Sequence, residues 1–564
     1  MFLNLLMFKE EIIKTLSKEL RKPQKEIRPL IEIPPDSSLG DYAFPCFSLA
    51  TLKKKSPVEI ASEIAGKLKP TARIEKIENK GPYVNFFINK KKMAEKIVKI
   101  KDSYGKGKSK KKIMVEFLSP NTNKPLHLGH LRNIVIGESV SRILEFSGNK
   151  VIRSVLYNDR GVHICKSMTA YKLYGEDKDP DIEERKQDHF VGDFYVLYSQ
   201  KLKKNPKLEE ENKKCLQNWE KGDPETISLW KKMNGWAYNG FKQTYDLFGI
   251  SFDKEYHESD IYKKGKEIIK EGLKKKIFTK KGKAVVINLG KVGKEDLGEK
   301  ILLRSDGTSV YITQDIALAK IKDEEFKLKG SIYVTGNEQI YHFKVLFEIL
   351  KRLKFKFSNN LHHLYHGMVE VPEGKLKSRE GKTVDADYII AQTNNLAIEE
   401  LKKRYTLPHK VYEERGLKIA LSAIKYNLLK TDIMKNLLFN PSEAISFEGD
   451  TGPYLQYSYA RASSILKKAG LPKKLEINLL PAEVQLIKKL DKFPETVDNA
   501  ASSLNPSLVA NYALQLAHSF NEFYHSCPVI GDENEAFRLE LVKVFRIVMR
   551  NTLYLLGIEA IEEM

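Results

Sequence analysis

Cysteine, tryptophan and long apolar runs are all scarce in this chain of 564 residues. Its four cysteines, Cys46, Cys165, Cys215 and Cys527, are widely scattered, and no two have CxxC spacing. That pattern supports neither a zinc knuckle nor a redox pair, and so few thiols suit a reducing, cytoplasmic compartment. Nothing approaches the roughly 18 unbroken apolar residues that a membrane span needs, so no membrane association is expected. The opening MFLNLLMFKEEIIKTLSKEL lacks a basic region before its apolar start and a small-residue cleavage site after it. It reads as an amphipathic first helix rather than a signal peptide. The usual nucleotide loops are missing too. Gly107-Lys108-Ser109 and Gly381-Lys382-Thr383 end like P-loops, but Asp102 and Leu376 stand where a glycine is required. No GxGxxG follows a candidate strand.

What is abundant is positive charge. Lys and Arg number 96 against 74 Asp and Glu, a net +22. Such a field attracts polyanions, although a lysine-rich proteome has the same balance for solubility alone. At about 150 residues per domain, the length suggests three or four domains. Residues 1–100 hold helical patterns and a strand at GPYVNFFI (81–88), and KDSYGKGKSKKK (101–112) has the composition of a solvated linker.

Beyond the linker, IMVEFL (113–118) suits a buried parallel strand, 129–147 has helical apolar spacing, and VIRSVLY (151–157) is a second strand. That is a βαβ unit, the start of a doubly wound sheet. Further strands are expected at AVVINL (284–289), SVYIT (309–313), SIYVTG (331–336) and HLYHGMVEV (363–371), with a helix at YHFKVLFEILKRL (341–353). About residues 175–275 form a charged, aromatic helical insertion, and from about 400 strand signals disappear into a helical bundle.

The segment SPNTNKPLHLGHLRN (119–133) carries the clearest chemistry. It lies at the carboxyl end of the first strand, where open α/β sheets bind ligands. His127 and His130 are three apart, on one face of a first helical turn, where free N–H groups and partial positive charge attract phosphate. Gly129 lets a flat ligand approach the backbone. Two satisfied structural histidines are the bland alternative, and no third ligand nearby supports a metal.

The whole phrase resembles the HIGH-type signature of class I aminoacyl-tRNA synthetases, and its flanks are similar to the arginyl-tRNA synthetase family. GDYAFPCFSLA and GPYVNFFI resemble that family's N-terminal domain, and YITQDIA (311–317) and GNEQIYHF (336–343) its arginine pocket. HGMVEVPEGKLKSREGK (366–382) resembles its second signature loop, and DTGPYLQYSYARASSIL (450–466) its anticodon-binding domain.

The resemblance implies a multidomain α/β protein. An α+β N-terminal tRNA-binding domain (1–108) would precede a Rossmann-like class I catalytic domain (109–400) and an all-α anticodon-binding domain (401–564). The implied activity is that of an arginine–tRNA ligase, a cytoplasmic monomer using ATP, Mg2+, L-arginine and tRNA(Arg). For ATP the resemblance implies His127, Gly129, His130, Met368, Val369 and Lys375, with Lys377 and Arg379 as further catalytic cations. For arginine it implies Glu116, Ser119, Asn121, Tyr311, Gln339 and, as guanidinium partner, Asp315; a structural salt bridge is the other reading of Glu116. For tRNA it implies Tyr454, Tyr457 and Arg461. The second signature reads Lys375-Leu376-Lys377-Ser378-Arg379 instead of KMSKS, so Lys124 is expected to supply the missing charge. Gln314 stands where the family usually has Arg. A cysteinyl-type synthetase is disfavoured by the lack of zinc-ligand cysteines, and a non-catalytic RNA-binding paralogue by the intact HLGH.

Overall fold

The apolar run after residue 112 becomes the middle of a parallel sheet. In the computed structural model, which describes residues 7–372, 384–470 and 476–564, this strand is β1 (Lys112–Glu116). Helix α1 (Leu128–Phe146) returns the chain to β2 (Lys150–Tyr157). Helices α2 (Gln187–Lys204) and α3 (Pro224–Phe248) follow, and then β3 (Lys254–His257). Helix α4 (Tyr311–Phe326), β4 (Gly330–Gly336), α5 (Ile340–Arg352) and β5 (Leu361–His366) complete the sheet. The order is β5-β4-β1-β2-β3, all parallel. Met114 and Val115 of β1 are fully buried, as expected of a strand covered on both faces.

Five sequence expectations change. SVYIT is not a strand: Val310 is the extended residue before α4, which begins at Tyr311. Its β-branched residues favour a strand locally, but Ile312 and Ile316 share a buried face in the helix. AVVINL does form a strand (Ala284–Asn288), but in a separate antiparallel sheet with Thr279–Lys281 and Glu299–Leu303. HLYHGMVEV breaks at Gly367, and Val369–Glu370 pairs with Leu437–Leu438, a short strand in the tail that carried no signal. Strand β3, only KEYH, falls inside the stretch that reads as helical insertion. The expected tether at 101–112 is a packed connection. Tyr104 is buried and stacks on Phe493 at 6.2 Å, and the Gly107 N–H donates to the Phe146 carbonyl at 2.8 Å.

Before the sheet, helices Met7–Leu20 and Pro57–Lys67 cover an antiparallel sheet of Tyr42–Pro45, Ile74–Lys80 and Tyr83–Ile88. After it, α6 (Ala386–Arg404) and α7 (His409–Lys430) lead into the bundle of α8 (Gly452–Lys468), α9 (Ser507–Ser526) and α10 (Glu535–Leu555). Phe520 and Phe545 stack at 3.8 Å in its core. Among the described residues, no helix is long and apolar enough to cross a membrane.

Helix α1 reaches the sheet closely because Gly137 leaves room for Phe117. Alanine there gains about 1 kcal/mol of helix propensity but drives a methyl into the ring, at about 1–3 kcal/mol. Gly137→Ala should therefore lower the urea midpoint of the catalytic unit despite being the better helix former.

Candidate active site

The chain leaving β1 is laid along the end of β2. Asn158 donates its N–H to the Pro120 carbonyl at 3.0 Å and accepts from Thr122 N–H at 3.2 Å, while its side chain donates to the Ser119 carbonyl at 3.0 Å. Ser119 and Asn121 stay exposed at the sheet's carboxyl edge, and the turn delivers His127 to the N-cap of α1.

There the two histidines cap the helix reciprocally. His127 Nδ1 accepts from the Gly129 N–H at 3.1 Å, and His130 Nδ1 accepts from the His127 N–H at 3.2 Å. The rings stack with centroids 3.8 Å apart. Because both Nδ1 atoms accept, each ring carries its proton on Nε2, as a donor. Burial, helped by the Lys124 field, lowers the His127 pKa to about 4, and burial takes His130 well below its ordinary value. Both imidazoles are neutral at physiological pH. A Cβ on Gly129 would press on the His127 ring at 3.0 Å, so the glycine also seats that ring.

Two elements flank the turn. On one side, residues 384–386 pair with it: Leu128 N–H donates to the Val384 carbonyl at 2.8 Å and Ala386 N–H to the Leu126 carbonyl at 3.0 Å. On the other, Gly192 lets α2 approach, since a Cβ there would sit 2.8 Å from Pro125. Lys124 is exposed, with its Nζ 5.0 Å above the Tyr195 ring of α2. Arg132, fully buried, donates to the carbonyls of Gly367 (2.7 Å), Met368 (3.0 Å), Ile433 (3.3 Å) and Lys435 (2.9 Å). It thereby sets Met368, whose side chain is exposed, and Val369, which pairs with Leu437. Residues 367–369 at the start of the second signature segment and residues 384–386 beyond it thus converge on the turn. Lys375, Lys377 and Arg379 lie outside the described residues.

Across the sheet edge lie the residues expected to meet an amino acid. Asp315 of α4 pairs with His342 of α5, Oδ2 to Nε2 2.6 Å. Burial opposes the imidazolium, but Asp315 outweighs it and the His342 pKa rises. Tyr311 is 69% exposed at the first residue of α4, and Gln339 is exposed just before α5. Glu116 is buried and accepts from Lys322 Nζ at 2.6 Å, with that ammonium 4.5 Å over the Tyr333 ring. The structural salt bridge considered for Glu116 is therefore present.

Glu258, just past β3, was not singled out by the sequence. Burial raises its pKa to about 7 against the pull of Arg160 and of a hydrogen bond from Gln314, with Asp159 and Asp315 adding like charge. Gln314, unexplained by the sequence, is thus a neutral neighbour of this carboxyl. Asp159 holds the segment in place, accepting from Ser259 N–H (2.9 Å), Ser259 Oγ (2.7 Å) and the Tyr238 hydroxyl (3.1 Å). Only the run Glu255–Asp260, three acids around one histidine, hinted at it.

In the tail, one helical face does carry Tyr454 and Arg461. Asn521 of α9 bridges them, donating to the Tyr454 hydroxyl and accepting from Arg461, both at 2.7 Å. Arg461 also donates to the Tyr457 hydroxyl at 2.8 Å and lies 4.7 Å over that ring and 4.9 Å over Tyr524.

Three family models match the chain in order. The Arginyl tRNA synthetase N terminal domain matches residues 7–88, the tRNA synthetases class I (R) catalytic domain 93–441, and the DALR anticodon binding domain 455–564. The chain belongs to the arginyl-tRNA synthetases. It is 46% identical to the arginine–tRNA ligase of Treponema denticola, over 95% of this chain and 94% of that one. Identity to the Borrelia duttonii enzyme is 40%, over 98% and 100% of the two chains. The solved arginyl-tRNA synthetase of Thermus thermophilus superposes with a TM-score of 0.85 at 27% identity, over 99% and 100%. The expected architecture of Rossmann-like catalytic, N-terminal and helical anticodon-binding domains holds. In this synthetase the cap makes its own prediction: labelled-histidine NMR should show His127 and His130 as neutral Nε2–H tautomers down to pH 5, with His127 titrating near 4.

Proposed function

We propose that arginine is activated at the turn that ends in His127-Leu128-Gly129-His130. The chain is an arginine–tRNA ligase. It joins L-arginine to ATP as arginyl-adenylate, releasing pyrophosphate, and passes the arginyl group to the 3′ end of tRNA(Arg), releasing AMP. The observation that carries the assignment of the site is the reciprocal histidine cap: two neutral Nε2–H donors beside a helix N-terminus. Arginine's carboxylate is already a nucleophile, so catalysis rests on positioning and on stabilising phosphate charge. The Nε2–H groups would donate to phosphate oxygens, with the adenine near Gly129, Met368 and Val369. Lys124 adds charge, as do Lys375, Lys377 and Arg379.

Mg2+ enters on the nucleotide, as MgATP. It favours oxygen ligands, whereas the side chains at the cap are imidazoles and an ammonium, so the phosphates supply its oxygens.

A guanidinium is planar and always charged, and needs carboxylate acceptors. Asp315 and Glu258 supply them, with Tyr311 and Gln339 at the rim. Glu116, Ser119 and Asn121 take the amino-acid end. Lys322 binds Oε2 of Glu116, and Oε1 is assigned to the substrate ammonium. In the tail, Tyr454, Tyr457 and Arg461 form a platform for unstacked anticodon bases. The four free thiols suit a reducing cytoplasm, and the enzyme is read as a monomer.

ATP–pyrophosphate exchange, run with each amino acid and with tRNA(Arg) present, should respond to arginine alone. Lys124→Ala should slow adenylate formation about 10²–10³-fold, the cost of losing a transition-state donor; a change of only a few-fold removes Lys124 from the site. Glu258 predicts a pH effect of definite sign. The carboxyl must be ionised to hold a guanidinium, so KM for arginine should rise as pH falls through about 7, and Glu258→Gln should flatten that rise.

A further inference from the structure

The start of α2 grips the outer face of the segment, around Asp385 and Asp387, that pairs with the catalytic turn. Lys186, the residue before α2, donates to Asp387 Oδ2 and to Thr244 Oγ1 of α3, both at 2.7 Å, and lies 3.5 Å from buried Asp188. His189 Nε2 stands 2.8 Å from the same Asp387 oxygen and 3.5 Å from Asp385. Asp385 is in turn the N-cap of α6, accepting from the Tyr388 N–H at 2.9 Å, and it faces His127 across the backbone pairing. Gly240 gives α3 the clearance to lie directly on Asp188.

The cluster gathers three carboxylates, Asp188, Asp385 and Asp387, and burial raises the pKa of Asp188. Asp188 and Asp387 face the Lys186 ammonium, Asp385 lies 3.5 Å from His189, and neighbouring Arg185, bonded to Asp193 at 2.9 Å, still feels the fields of Asp385 and Asp188. Asp188, His189 and Asp387 have ligand atoms within 4.8 Å of one another, but Lys186 already stands among them. The cluster is therefore an ion-pair clamp rather than a metal site, and an imidazolium at His189 is its second cation. Burial disfavours that charge, but the hydrogen bond to Asp387 and the fields of Asp385 and Asp188 outweigh it, and the His189 pKa is raised.

We propose that His189, together with Lys186, is a positioning residue for ATP. They fix Asp385 and Asp387, which fix residues 384–386. The backbone bonds of that segment to Leu126 and Leu128 then fix the two Nε2–H donors. The inference rests on the assignment of the turn to the nucleotide. Its pH signature follows from the sign of the shift: the imidazolium is present at low pH, and the clamp loosens as pH rises through the elevated pKa.

Arginine-dependent exchange with tRNA(Arg) present tests this. His189→Ala should raise KM for ATP about tenfold, within the range that an ångström-scale misplacement produces, and leave KM for arginine within about twofold. His189→Gln keeps an N–H for Asp387 without the charge. It should fall between wild type and alanine, and should remove the increase in ATP KM expected of wild type as pH rises through the elevated His189 pKa. If alanine fails to fold, the glutamine variant and Asp387→Asn decide by the same split. Unchanged ATP KM at every pH, or ATP and arginine KM rising together, overturns the proposal. His127→Ala is run alongside: normal ATP KM there removes the nucleotide assignment itself, separately from the His189 result.

Discussion

Two backbone hydrogen bonds, between Leu128 and Val384 and between Ala386 and Leu126, tie together parts of the chain that are more than two hundred residues apart. Without them the turn would keep its own cap and its bonds to Asn158 but gain freedom relative to residues 384–386. Catalysis by positioning and phosphate stabilisation tolerates little of that freedom. The rest of the catalytic unit can be read as support for this pairing. The sheet supplies the strand end, Arg132 gathers the carbonyls behind it, and the inserted helices α2 and α3 press on it from outside.

The pairing also brings the insertion against the turn, through Lys186 and Asp387. Its aromatic core, with Phe190, Phe194 and Trp236 in edge contacts, makes a stiff body rather than a flexible flap. Gly192 and Gly240 let that body touch the turn and the acidic cluster without intervening side chains. The insertion can therefore transmit where its helices sit to where the histidines point.

How much of this was legible in the sequence depended on whether the determinants were local. The βαβ unit, the first helical turn and the histidine pair were readable because strand, cap and periodicity lie within about forty consecutive residues. The helix at Tyr311 was misread as a strand, since four β-favouring residues outweigh a pattern that shows only when Ile316 is placed in the core. Glu258, His342 and His189 stayed invisible as site residues: each gains its meaning from a partner on another element, Gln314, Asp315 or Asp387. Composition cannot report such pairings. Glu116 was readable as a buried strand-end carboxylate, but its partner Lys322, 206 residues away, was not.

Arg132 has a consequence for how the molecule is made. Its guanidinium is buried against carbonyls up to 303 residues later in the chain, and a buried cation without acceptors is costly. At roughly 5–20 residues per second of synthesis, the helix that bears the histidines waits some tens of seconds for residues 433–435 to emerge. Until then Arg132 must stay hydrated, and the first turn cannot settle against its neighbours. A nascent or truncated chain would thus carry the signature without the geometry, and competence would arrive only when the C-terminal half closes over it.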